Sequence, residues 1–222
     1  MPVKRFSKRE AIVFGWQTTR ANLGLFIVYL LLSALAGSFF GGFAGLFQKR
    51  LPVFSLIFNI GYIFLTFAIN IVGIKIALKF CDNDEREITQ VISFTPSLFL
   101  KFAGGYILYS LLVALGFILL ILPGVFWMVK YQYVIYFLAD KDMEIGEAFK
   151  NSAETTNGAK WELFAFLILL SLINLAGVIC LLVGLLVTIP VTMVAMAFVY
   201  RKLSGTRAPG NVDPFQAPSQ AI

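Results

Sequence analysis

Lys130 is the side chain whose position points most directly to chemistry. It stands in an apolar and aromatic stretch that begins after a Pro-Gly pair and ends at Asp140. A lysine within a membrane helix costs about 3 kcal/mol to insert and marks a functional site by default. No acidic residue lies inside any apolar run of the sequence. Its partners are therefore expected to be backbone carbonyls, Asn59 or Asn70, or an anion such as a lipid phosphate. A structural lysine that snorkels is the alternative.

A stripe of polar residues along the second apolar run is a further candidate site. Asn59, Thr66 and Asn70 fall within a narrow arc when the run is drawn as an α-helix at about 100° per residue. In lipid, polar side chains must face protein or water. The stripe therefore indicates either hydrogen bonds between helices or a polar path through the protein.

The residue types needed for most enzyme chemistry are missing. Histidine, the commonest general base and zinc ligand, is absent from the sequence. Cys81 and Cys180 stand far apart and form no CxxC pair, so neither a disulfide nor a metal site is indicated. The acidic residues Asp140, Asp142, Glu144 and Glu147 cluster at a solvated junction. We therefore expect no catalytic residues, no metal and no cofactor.

The composition is that of a membrane protein. The 222 residues are 59% hydrophobic, and the mean hydropathy is +0.85, which leaves too little polar surface to cover a soluble globule. The 18 basic residues exceed the 12 acidic ones, but they flank apolar runs, where positive charge sets topology. Nucleic acid is therefore not an expected partner.

The hydrophobic pattern predicts an all-α, polytopic membrane protein with six transmembrane helices. The expected helices cover residues 23–40, 53–79, 102–122, 125–139, 163–182 and 183–199. Pro123-Gly124 is expected to form a tight turn between the third and fourth. Residues 1–203 then form one membrane domain, and residues 204–222, rich in Pro, Gly, Ala and Gln, read as a disordered tail.

Three amphipathic helices on the cytoplasmic side are expected to precede the hairpins. The first begins after Ser7, the second begins after Asp84, and the third covers residues 143–156. If both termini lie in the cytoplasm, Lys49 and Arg50 are the only basic residues on the outer side of the membrane. The positive-inside rule therefore predicts cytoplasmic N- and C-termini. Glu10-Ala11 is echoed by Glu147-Ala148, which indicates an internal repeat of helix-plus-hairpin units; chance similarity is the alternative.

Several residues in the second half of the chain carry a resemblance to known families. They are Leu122-Pro123-Gly124, Lys130, Asp140, Glu147-Ala148, Ser152, Thr156-Asn157-Gly158 and Trp161. Here the chain resembles poorly characterised bacterial integral membrane protein families related to the membrane domain of glycerophosphoryl diester phosphodiesterases. The resemblance implies a six-helix membrane module in the bacterial inner membrane. Position 130 is lysine where that pattern usually has arginine, and without histidine the phosphodiesterase chemistry does not carry over.

Two functional hypotheses follow from the sequence. The first is a non-enzymatic bacterial inner-membrane protein that interacts with membrane lipids or acts as an accessory scaffold, with other membrane proteins or a second copy as partners. The second is a small transporter or channel whose polar path runs near Asn59, Thr66, Asn70 and Lys130. The first expects these groups to be dry, and the second expects them to line one water-accessible path.

Overall fold

The computed structural model describes residues 6–49, 51–91, 95–180 and 183–205. All regular structure in these ranges is helical, which confirms the all-α prediction. In chain order the helices are α1 (Lys8–Ala21), α2 (Leu23–Phe47), α3 (Pro52–Cys81), α4 (Ile88–Val91), α5 (Pro96–Leu119), α6 (Ile121–Tyr131), α7 (Val134–Lys141), α8 (Ile145–Thr156), α9 (Lys160–Ile179) and α10 (Leu185–Ser204). From residue 206 onward, the expected tail lies outside the described residues.

Six of these segments are long and apolar enough to cross a membrane, so the chain is a multi-pass membrane protein. The spans are α2, α3, α5, the pair α6–α7 (Ile121–Lys141), α9 and α10. They pair along the chain into three antiparallel hairpins: α2–α3, α5 with α6–α7, and α9–α10. The number and order of the spans agree with the sequence prediction, although most of their ends differ by several residues.

The expected tight turn at Pro123-Gly124 is wrong. The chain reverses at Leu120, whose backbone is extended (φ −166°, ψ 154°), and α6 begins at Ile121. Pro123 therefore lies in the first turn of α6, where its missing N–H leaves no intrahelical hydrogen bond unmade. Gly124 is buried against Gly116 of α5, since a Cβ on Gly116 would lie 2.8 Å from the Cα of Gly124. The Pro-Gly pair thus serves helix initiation and helix contact.

The two ends of the bundle differ in their packing. At the end that carries Asp82, Asp140 and Arg201, here called the charged end, the second halves of α3 and α10 and most of α7 are buried. At the opposite end, here called the hairpin end, large apolar side chains such as those of Leu46 and Leu122 are exposed. The three hairpins therefore share one core at the charged end and present apolar surface to lipid at the other.

Helix α1 packs along α10 through its smallest residues. Ala11, Gly15 and Thr19, spaced four apart on one face, are buried, and a Cβ on Gly15 would lie 2.5 Å from the carbonyl oxygen of Val191. Trp16 lies outside this contact and is exposed. Small residues allow two helix backbones to approach closely, and they set the position of α1 here.

Candidate functional site

The helix of the fourth span is interrupted in its middle, and side chains of α8 form hydrogen bonds with the backbone at this break. Helix α6 ends at Tyr131 and α7 begins at Val134. The Ser152 hydroxyl donates to the carbonyl oxygen of Lys130 at 3.0 Å, and the Tyr133 N–H donates to the Ser152 Oγ at 3.3 Å. The Thr156 Oγ1 lies 3.1 Å from the same Lys130 carbonyl. Side chains of α8 therefore supply hydrogen bonds that a continuous helix would make within its own backbone.

The residues of the family-like pattern around α8 have separable roles. Ser152 and Thr156 lie one turn apart on one face of the helix and are fully buried against the break. Glu147 is exposed in the first turn, where a carboxylate interacts favourably with the helix dipole. Gly158 has φ +83°, a left-handed conformation that glycine adopts without strain, and it redirects the chain into α9. Trp161 lies in the first turn of α9 and is 84% exposed.

The ammonium group of Lys130 lies beside aromatic rings at this break. Its Nζ is 4.9 Å from the ring centroid of Tyr131. From the start of α9, the Nζ of Lys160 is 4.4 Å from the ring centroid of Phe126. Phe126 precedes Lys130 by one helical turn, so the side chain of Lys160 contacts α6 one turn away from Lys130. We call Phe126, Lys130, Tyr131, Lys160 and Trp161 the lysine–aromatic patch.

Neither patch lysine forms an ion pair within the described part of the chain, in contrast to other lysines near helix ends. Lys101 on α5 pairs with Glu144 at 2.9 Å, and Lys202 on α10 pairs with Glu10 at 2.7 Å. Both patch lysines are partly buried, and Phe126 and Trp161 beside them are exposed. Each ammonium group contacts an aromatic ring face and carries a positive charge that can bind an anion.

Asp140 belongs to a second cluster, at the charged end, that sequence reasoning did not assemble. Arg201 of α10 binds Asp140 through both guanidinium Nη atoms, at 2.5 and 2.8 Å, and binds Asp82 at 2.6 Å. The Tyr200 hydroxyl donates to the Asp140 carboxylate at 3.0 Å. Burial raises the pKa of Asp82, and Arg201 opposes that rise. Asp140 was expected at a solvated junction; it is largely buried and pairs with Arg201, which also binds Asp82, so the cluster ties the ends of three spans together.

The polar stripe lies on the surface of α3. Asn59 donates to the Ser55 carbonyl at 2.7 Å, Thr66 to the Tyr62 carbonyl at 2.8 Å, and Asn70 to the Thr66 carbonyl at 2.7 Å. Asn59 and Asn70 are exposed and Thr66 is partly exposed. Helix α6, which carries Lys130, packs mainly on α5, α8 and α9. The structure therefore places the stripe and Lys130 on different helices rather than side by side.

Within the described ranges, no group of three or more His, Cys, Asp or Glu residues could hold a metal ion. The chain shows no match to any protein-family model, to any characterised protein or to any solved structure.

Proposed function

We propose that this is a non-enzymatic protein of the bacterial inner membrane that binds anionic phospholipid at the lysine–aromatic patch. The observation that supports the proposal is that Lys130 and Lys160, which have no carboxylate partner among the described residues, are held over aromatic rings beside the exposed Trp161. An ammonium group binds phosphate as a point charge, and exposed aromatic side chains favour the headgroup level of a bilayer. A phospholipid phosphate meets both requirements.

The orientation proposed from the charge distribution agrees with this ligand. With both termini in the cytoplasm, the patch faces the inner leaflet, since Lys160 opens the span that follows α8. Anionic headgroups in that leaflet attract basic residues close to the surface. Lys130 would then reach toward the headgroup level from within its span, as long basic side chains do.

We also propose that the chain consists of three helix-plus-hairpin units. The supporting observation is the element order: α1 precedes α2–α3, α4 precedes α5 with α6–α7, and α8 precedes α9–α10. In this scheme α8 opens the third unit and closes the break in the second. The patch is then assembled from two units, since Phe126, Lys130 and Tyr131 belong to one and Lys160 and Trp161 to the next.

Native mass spectrometry of the detergent-purified protein tests the lipid proposal. The wild type is expected to retain a phospholipid, and the double variant Lys130→Ala with Lys160→Ala is expected to lose it. Lys141→Ala is the matched control, because Lys141 also lies over a ring, that of Phe137, but outside the patch. Equal retention by all three proteins would contradict a role for the patch. A lipid-free wild type would contradict lipid binding and favour the scaffold function.

A further inference from the structure

The outer face of α3 carries a heptad seam with no helix of the described chain packed over it. Leu56, Asn59, Ile63, Thr66 and Asn70 alternate at spacings of three and four residues. This is the spacing that places side chains along one seam between two supercoiled helices. Leu56 is 59% exposed and Ile63 is 51% exposed, and of the three polar members only Thr66 is partly covered. Such a seam is the pattern that one helix of a coiled pair presents to the other.

The neighbours of α3 within the chain occupy its other faces. On the α2 side, the Tyr29 hydroxyl donates to the Ile69 carbonyl at 3.0 Å. On the α5 side, the ring of Phe64 stacks on that of Phe99 with centroids 5.1 Å apart. At Gly73 the seam ends, because a Cβ there would lie 3.2 Å from the sulfur of Met193 on α10. The seam is therefore open only from Leu56 to Asn70.

The open part of the seam lies within the hydrocarbon region of the membrane. Helix α3 has 30 residues, and its first charged residue is Lys75, so the stretch 52–74 is uncharged. Twenty-three residues cover about 34 Å, against about 30 Å of hydrocarbon. The Asn59 and Asn70 amides use only their Nδ2 groups as donors, and their Oδ1 atoms accept no hydrogen bond in the described structure. Lipid chains cannot supply the missing donors.

We infer that a second copy of this chain covers the seam, with α3 packed against α3 in a parallel, two-fold symmetric dimer. Copies inserted with the same topology are related by an axis along the membrane normal, which places identical residues at the same depth. A carboxamide carries both a donor and an acceptor, so Asn59 can pair with Asn59 of the other copy, and Asn70 likewise. Asparagine within a heptad seam fixes register and pair formation in the same way. The inference does not depend on lipid binding.

Disulfide crosslinking in native membranes tests the dimer. In a background with Cys81→Ala and Cys180→Ala, Ile63→Cys is expected to yield a crosslinked species of twice the monomer mass. Ile57→Cys is the matched control, because Ile57 is also exposed, at 59%, but lies off the seam. Equal crosslinking at the two positions, no crosslinking at Ile63→Cys, or a product whose mass shows a different protein would each overturn the inference.

A second test replaces the two amide side chains of the seam with apolar side chains. The double variant Asn59→Leu with Asn70→Leu is expected to lower the dimer fraction at least several-fold in native mass spectrometry. Both side chains are exposed on the surface of their own chain, so the monomer is expected to stay folded, with an unchanged helix content in detergent. A dimer fraction equal to that of the wild type would overturn the pairing of these amides.

Discussion

Arg201 and Asp140 meet in a two-pronged ion pair that joins the last span to the fourth, with Nη1–Oδ2 and Nη2–Oδ1 distances of 2.5 and 2.8 Å. Both side chains are largely withdrawn from solvent. The same guanidinium also holds Asp82 at the end of α3. One cation thus pairs with two carboxylates where three hairpins converge, and removing it would leave both carboxylates without their ion-pair partner.

Replacement of Arg201 tests this arrangement. Arg201→Gln is expected to lower the free energy of unfolding by about 3 kcal/mol, since a buried carboxylate that loses its partner is costly. The readout is the thermal unfolding midpoint in detergent. Lys202→Gln is the control, because its pair with Glu10 is more exposed and is worth less than about 1 kcal/mol. An equal fall of the unfolding midpoint in the two variants would show that the Arg201 cluster stabilises the fold no more than a surface ion pair does.

Loss of the hydroxyls of α8 should loosen the break in the fourth span. In Ser152→Ala with Thr156→Val, the Lys130 carbonyl and the Tyr133 N–H lose their partners, at about 1–3 kcal/mol for each unsatisfied group. Hydrogen exchange is expected to accelerate at Tyr133. Ser171→Ala is the control, because the Ser171 hydroxyl bonds only to its own helix, at the Leu167 carbonyl. Unchanged exchange at Tyr133 would contradict the assigned role.

Gly15 is predicted to tolerate no side chain. In Gly15→Ala the new Cβ would meet the Val191 carbonyl at 2.5 Å, and overpacking of this kind costs about 1–3 kcal/mol. The unfolding midpoint in detergent should fall. In contrast, Gly41→Ala on α2 meets nothing within 4 Å and should stabilise its helix by up to about 1 kcal/mol. A neutral Gly15→Ala would mean that α1 does not pack on α10 as described.

Cysteine labelling addresses the transport hypothesis. In the cysteine-free background, single cysteines at positions 59, 66 and 70 are expected to resist a membrane-impermeant maleimide from both sides, because this face of α3 meets lipid or protein. A cysteine at exposed Lys150 of α8 is the labelling control. Reaction at any stripe position from one side would reveal a water path and favour a transporter or channel.

The sequence predicted the spans and their hairpins well because hydropathy is a local property, but it could not predict which residues make the contacts between them. Pro123-Gly124 suits a turn or a helix start equally well by local rules, and the contact with Gly116 decides between them. The break before Tyr133 has no clear local signal, since its hydrogen bonds come from Ser152. The Ala11–Gly15–Thr19 stripe was visible in the sequence, and its small-residue spacing could have predicted that this face of α1 packs closely on another helix.

The Arg201 cluster needed knowledge that sequence alone lacks. Asp82, Asp140 and Arg201 each read as ordinary charges at the end of an apolar run, and only the convergence of three hairpins brings them together. Only one lysine of the lysine–aromatic patch was predicted, because the patch too depends on contacts between distant parts of the chain. Lys130 stood out by its surroundings, whereas Lys160 looked like a routine flanking charge until the contact with Phe126 appeared.

The repair of the fourth span by α8 has a consequence for the order of events during synthesis. The Lys130 carbonyl finds its partners 22 and 26 residues further along the chain. When this span first enters the bilayer, the groups that satisfy its interrupted backbone lie behind it in the emerging chain and have not yet reached it. We therefore expect the span to settle at its final depth only after residue 156 has emerged, so that the fourth span and α8 are integrated as one late step of biogenesis.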